Sequence, residues 1–254
     1  MAKSTSLKID MHTHILPHSI PNFAEKFGYG DFITLLHHKP EAARMMKGDK
    51  FFREIQSNCW DEKLRIEEYE KFDTQVQVIC TIPVMFSYWA EPHDCLDLSM
   101  YLNDHIAQVV EENPKHYIGL GTVPMQDPDL AIKELERLKE LGIPGVQIGS
   151  NINHHNLSKP RFFEFFEACE SLGMAVLVHP WEMMGKEDME KYWLPWLVGM
   201  PAETARAAAS MIFGGVFERY PKLRVCFAHA GGSLLATIGR LEHGFNCRPD
   251  LVAV

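Results

Sequence analysis

The stretch Ile9-Asp10-Met11-His12-Thr13-His14 decides how this 254-residue chain is read. Leu7, Ile9 and Met11 alternate into a His-x-His pair. Residues two apart on an extended strand point to one face. The spacing therefore predicts a short buried strand from whose end His12 and His14 project together, able to grip one ion. Neutral imidazole is a common ligand for zinc and its neighbours. Two ordinary histidines in a polar turn is the plainer alternative, and the rest of the chain must decide.

Outward from this strand, apolar β-branched runs alternate with helical patterns. Val76 to Thr81, Tyr117 to Leu120, Gly145 to Ile148, Ala175 to Val178 and Arg224 to Ala228 read as strands. Between them lie helices from Asp61 to about Phe72, Leu96 to Glu112, Asp127 to Leu141, Pro160 to Gly173 and Pro201 to Ile212, with a last one from Ser233 to about Phe245. Asp61 and Asp127 are N-cap signals, and Gly142 and Gly173 are stop signals. Leu16 to Trp60 lacks clear periodicity and reads as an elaborated first loop with small elements of its own.

Short, nearly all-apolar strands in strict alternation with helices belong to a parallel sheet covered on both faces. That makes either a TIM (β/α)8-type barrel or a doubly wound sheet. No G-x-G-x-x-G or P-loop follows any strand, which disfavours the nucleotide-binding version. No repeat or linker divides residues 1–254, so the expectation is a single α/β domain.

Composition narrows the partners. A formal net charge of −9 with no basic run argues against nucleic acid, which needs a positive footprint. No apolar run is long enough to span a bilayer, and Met1 to Lys8 carry no apolar leader. Cys59, Cys80, Cys95, Cys169, Cys226 and Cys247 show no C-x-x-C spacing and read as reduced thiols of a cytosolic protein. A small anionic ligand stays open, because a few arginines reverse the potential locally.

Barrel enzymes carry their chemistry where strands end. Those ends hold His12 and His14, then His179, then His229. Each of the last two alone would pass for a hydrogen-bonded core histidine. Four histidines at three strand ends make a metal site the better reading.

The motifs I-D-M-H-T-H, V-L-V-H-P-W and C-F-A-H-A-G-G resemble the amidohydrolase superfamily, in its decarboxylase branch. F-G-Y-G, F-F-R, N-C-W-D and K-Y-W-L-P-W-L-V-G-M-P-A-E-T extend the likeness from Lys8 to Leu251. The resemblance implies one zinc ion held by His12, His14 and His179, with His229 handling the proton of the metal's water. It implies that Arg53 and Arg240 hold substrate carboxylates, Arg240 across the interface of a homodimer, with Arg248 contributing similarly. The implied substrate is a small anionic carboxylate, which suits guanidinium forks in a −9 chain. Trp181, Trp193 and Trp196 are candidates to wall an apolar slot for a flat conjugated molecule. A metal-dependent hydrolase and an inactive form that pairs with a longer subunit are the alternatives.

The chain departs from the resemblance in one respect. The family's barrel has eight strands and a last ligand, an aspartate, on the eighth, whereas this chain reads as truncated after about six βα units. Asp250, in R-P-D, follows the sixth helix and is not that aspartate. Unpaired edges on the first and last strands, and low stability or activity of the chain by itself, are the expected consequences.

Overall fold

Among the described residues, six parallel strands occur where the apolar runs place them: β1 (Ile9–His14), β2 (Val76–Cys80), β3 (Tyr117–Gly119), β4 (Gly145–Gly149), β5 (Ala175–His179) and β6 (Arg224–Phe227). The computed structural model describes residues 6–252, so part of the N-terminal segment read above as lacking a leader lies outside the described residues. The strands pair in two sheets, β1-β2-β3 and β4-β5-β6. A bridge between Gly121 and Val146 joins the two. Glycine is required at this junction, since a Cβ on Gly121 would lie 2.4 Å from Leu138 Cδ1.

Each strand is followed by a helix: α1 (Glu62–Glu70), α2 (Pro92–Glu112), α3 (Pro128–Glu140), α4 (Phe163–Leu172), α5 (Met200–Phe213) and α6 (Leu234–Cys247). The capping signals act as expected. Asp61 accepts from the backbone N–H of Lys63 and Leu64, and Asp127 from that of Leu130. Gly173 ends α4 in the left-handed region at φ +65°. α2 begins four residues earlier than Leu96, because Pro92 serves as a ready first-turn residue.

The stretch after β1 is more regular than its sequence suggests. Residues 33–56 form a three-stranded antiparallel meander (Ile33–Lys39, Ala42–Lys47, Lys50–Gln56). Its second turn is Gly48-Asp49, flanked by the Lys47–Lys50 pair, with Gly48 at φ +56°. A two-residue glycine turn between strands is a hairpin signal that the sequence does carry.

The largest apolar cluster lies between the strands and the outer helices, around Leu135, Val146, Phe165, Phe166, Val176 and Met211. A second, with Leu16, Phe32, Met45, Trp60 and Leu98, seats the meander. Val78, Cys80, Leu120, Leu177 and Ala228 form a third, small cluster.

The expectation of a buried first strand is corrected. Leu7, Ile9 and Met11 are 67%, 42% and 55% exposed. β1 has β2 as its one sheet neighbour among the described residues, and β6 likewise has β5. Both ends of the arc are open edges, as expected of six units. α6 buries none of its residues, and Leu235 and Ile238 are 72% and 51% exposed. No helix among the described residues is long and apolar enough to cross a membrane.

Candidate metal centre

The arc brings the C-terminal ends of β1, β5 and β6 together. His12 lies 4.7 Å from His14, 5.0 Å from His179 and 5.1 Å from His229, ring centre to ring centre. His14 to His179 is 5.3 Å and His179 to His229 is 4.9 Å. His179 is buried, His12 and His14 are half-buried, and His229 is open to solvent. The side-chain donors of His12, His179 and His229 all lie within 4.8 Å of one another.

Local backbone geometry aims the rings. Asp10 pairs with Gln77 and Thr13 with Ile79, so three steps on β1 face two on β2. This is a bulge with one extra residue, a device that re-aims a side chain beside active sites, and it contains His12. At the other end His229 and Ala230 sit at φ +56° and +55°. Left-handed backbone at non-glycine residues stores strain, and such strain clusters at functional sites.

The donor chemistry fits a divalent ion. His14 Nδ1 is 2.9 Å from the Thr81 carbonyl oxygen, and His179 Nδ1 is 2.9 Å from that of Pro180. A carbonyl only accepts, so each Nδ1 carries the hydrogen and each Nε2 keeps its lone pair. Backbone carbonyls commonly fix ligating histidines in this way. His12 Nε2 is buried without a hydrogen-bond partner.

Burial, then the neighbouring His229, pushes His12 down to about 4. Burial, then His12, takes His14 to about 3, and burial, then His14, takes His179 to about 2. Burial also lowers His229. All four rings are therefore neutral at pH 7, the form that binds metal or accepts a proton.

Cys80 also approaches His12 and His14. Its thiol donates to the Thr13 carbonyl at 3.3 Å and lies 3.5 Å from His14 Nδ1, the nitrogen already committed to Thr81. Full burial drives its pKa far up, so it stays a thiol behind the ring rather than a thiolate ligand.

The other expected site residues stand apart from the imidazoles. Among the described residues no hydrogen bond, ion pair or ring contact joins any of them to the four histidines. Arg53 is exposed on the last meander strand, 5.9 Å over the Phe52 ring. Arg240 is exposed on α6, and Arg248 is held at 2.7 Å by Asp250 on the surface. Trp193 is 60% exposed and stacks on Trp196 at 5.8 Å. Trp181, two residues after His179, packs against Phe86.

Two of the buried charges, Glu203 and Arg65, support the segments around the histidines and escape sequence reasoning. Glu203 on α5 accepts from Ser150 Oγ and Asn151 Nδ2, both at 3.0 Å, and from the Met184 N–H. It thereby ties the segment after β4 to the one that leaves His179. Arg65 on α1 donates to the carbonyls of His14 and Asn58. In sequence, Glu203 reads as an ordinary first-turn acid and Arg65 as a solvated helix residue, so neither carries a signal.

Comparison with known proteins adds the lineage. The Amidohydrolase family profile matches residues 9–253. The chain is 63% identical over 250 residues to 2-amino-3-carboxymuconate-6-semialdehyde decarboxylase of Dictyostelium discoideum, covering 98% of this chain and 70% of that protein. The protein of the same name from Caenorhabditis elegans is 37% identical over 302 residues, covering 99% and 75%. Among solved structures, 5-carboxyvanillate decarboxylase of Novosphingobium aromaticivorans, complexed with manganese and 4-hydroxy-3-methoxy-5-nitrobenzoic acid, superposes with a TM-score of 0.75 at 19% identity, covering 96% of this chain and 71% of that one.

Proposed function

The chain belongs to the amidohydrolase family, and from its place among the decarboxylases of that family we propose that it removes carbon dioxide non-oxidatively from 2-amino-3-carboxymuconate 6-semialdehyde to give 2-aminomuconate 6-semialdehyde. That activity belongs to the kynurenine route of tryptophan breakdown. The observation that carries the reading is the meeting of four neutral imidazoles from three strand ends, in a chain 63% identical to an enzyme named for this reaction.

By the family resemblance we assign His12, His14 and His179 as the ligands, although the three histidine donors that lie within 4.8 Å of one another are those of His12, His179 and His229. Zinc is the ion, because three neutral imidazoles with an open position are a catalytic zinc donor set. When bound, the ion acts as a Lewis acid and lowers the pKa of a coordinated water from about 15.7 towards 7. His229, neutral and the most open of the four rings, accepts a proton from water at its free nitrogen and delivers it to the substrate carbon whose bond to the carboxylate breaks, so that the electron pair of that bond ends in the new C–H bond as carbon dioxide leaves. General-base help of this kind is worth about 10²–10⁴ in rate.

Arg53, Arg240 and Arg248 are the carboxylate grips in this reading, and Trp193 with Trp181 lines the approach. Arg240 points outward from α6, which suits service to a second subunit and hence a homodimer. Six free cysteines suit a reducing compartment such as the cytosol.

The test is a direct assay. Chain reconstituted with zinc should bleach the semialdehyde's ultraviolet absorbance while releasing one equivalent of carbon dioxide. Bleaching without carbon dioxide, or release of ammonia instead, would favour a hydrolase on the same scaffold and overturn the proposal.

A further inference from the structure

Arg65 is a buried cation, 7% exposed, with no ion pair to a carboxylate among the described residues. An unpaired charge in the interior is costly, so its bonds to neutral groups need a reason. One terminal nitrogen donates to the His14 carbonyl at 2.9 Å and the Asn58 carbonyl at 2.8 Å. The other donates to Thr13 Oγ1 and, at 2.9 Å, to Gln77 Oε1.

These acceptors are not scattered. Thr13 closes the bulge on β1, and Gln77 is the β2 residue paired with Asp10, where the bulge opens. The guanidinium therefore spans the irregularity that holds His12 and grips the peptide of His14. Tyr69, one turn further along α1, donates to Asp10 Oδ2 at 2.8 Å, while Asp10 Oδ1 accepts from the His12 N–H. A single helix face thus holds both ends of the bulge. The Asn58 bond adds the point where the meander returns to the barrel.

We propose that Arg65, seconded by Tyr69, is the positioning residue of the metal centre: it clamps the β1 bulge so that His12 and His14 present their free nitrogens to one ion. The inference rests on the metal reading above. Lysine cannot replace it, because an ammonium lacks the planar fork that reaches four acceptors on three segments. Partners that orient ligands typically govern metal affinity by 10–100-fold.

The test uses the full chain, stripped of metal and titrated with Co2+, whose ligand-field bands report coordination geometry. Arg65→Lys should weaken Co2+ binding by about 10–100-fold and shift the bands. Thr13→Val removes one acceptor at nearly constant shape and should shift both in the same direction by less. A purely architectural role predicts a lower melting temperature of the metal-free variants with unchanged affinity and bands, and that result overturns the proposal. If Arg65→Lys fails to fold, Thr13→Val decides alone, and wild-type binding by it is equally fatal. A wild-type chain that takes up no Co2+ overturns the metal reading itself, and this inference with it.

Discussion

Burial holds His12, His14 and His179 neutral, with pKa values near 4, 3 and 2 in the fold against 6.5 in an unfolded chain. Between those limits the unfolded state binds protons that the folded state refuses, so stability is full above about pH 6.5 and falls as pH drops towards 4. The metal-free chain should therefore melt at lower temperature at pH 5 than at pH 7, and His14→Gln should flatten that dependence; a melting temperature indifferent to pH over this range would contradict the assigned burial. His229 answers to a different assay. His229→Ala should cost about 10²–10⁴ in turnover while leaving zinc content, measured by atomic absorption, unchanged. Loss of zinc together with activity would instead make His229 a ligand, an arrangement its donor distance to His12 and His179 allows.

At the scale of elements, helix ends were the most legible part of the sequence, because capping is local chemistry. Asp61 accepts two backbone N–H groups at 3.0 Å, as its position ahead of α1 predicts. Asp61→Ala should lower stability in urea by about 1 kcal/mol, and it should weaken Co2+ binding too if α1 is the clamp described above. The strands were legible for a similar reason: apolar runs bounded by turn residues mark a parallel sheet wherever it closes. The meander was not, since I-T-L-L-H-H-K and A-A-R-M-M-K alternate poorly and only Gly48-Asp49 marks the turn. Arg65 was illegible altogether. Its burial depends on the bulge in β1 and on β2 arriving beside it, neither of which leaves a trace in E-K-L-R-I-E-E-Y-E.

For the whole molecule, the four histidines were legible because barrel topology alone brings strand ends together, whereas the burial of β1 was misjudged because cover comes from neighbours. The alternation Leu7, Ile9, Met11 is that of a covered strand, yet among the described residues β1 has one partner and these side chains face solvent. An exposed apolar edge with unpaired backbone groups is a template for association. Covering a side chain of this size is worth about 1.5–3 kcal/mol, so even partial cover of a few of them on the two open edges and α6 favours contact between copies. The isolated chain should scatter more light per unit mass as its concentration rises. Ile9→Lys with Leu235→Glu should suppress that rise, because each puts a charge on an exposed apolar face. Ile9 lies before the bulge and Leu235 beyond the His229 turn, so the doubly substituted chain should still bind Co2+ as the wild type does. A wild-type chain that stays monomeric at high concentration would show that these faces are harmless as they stand.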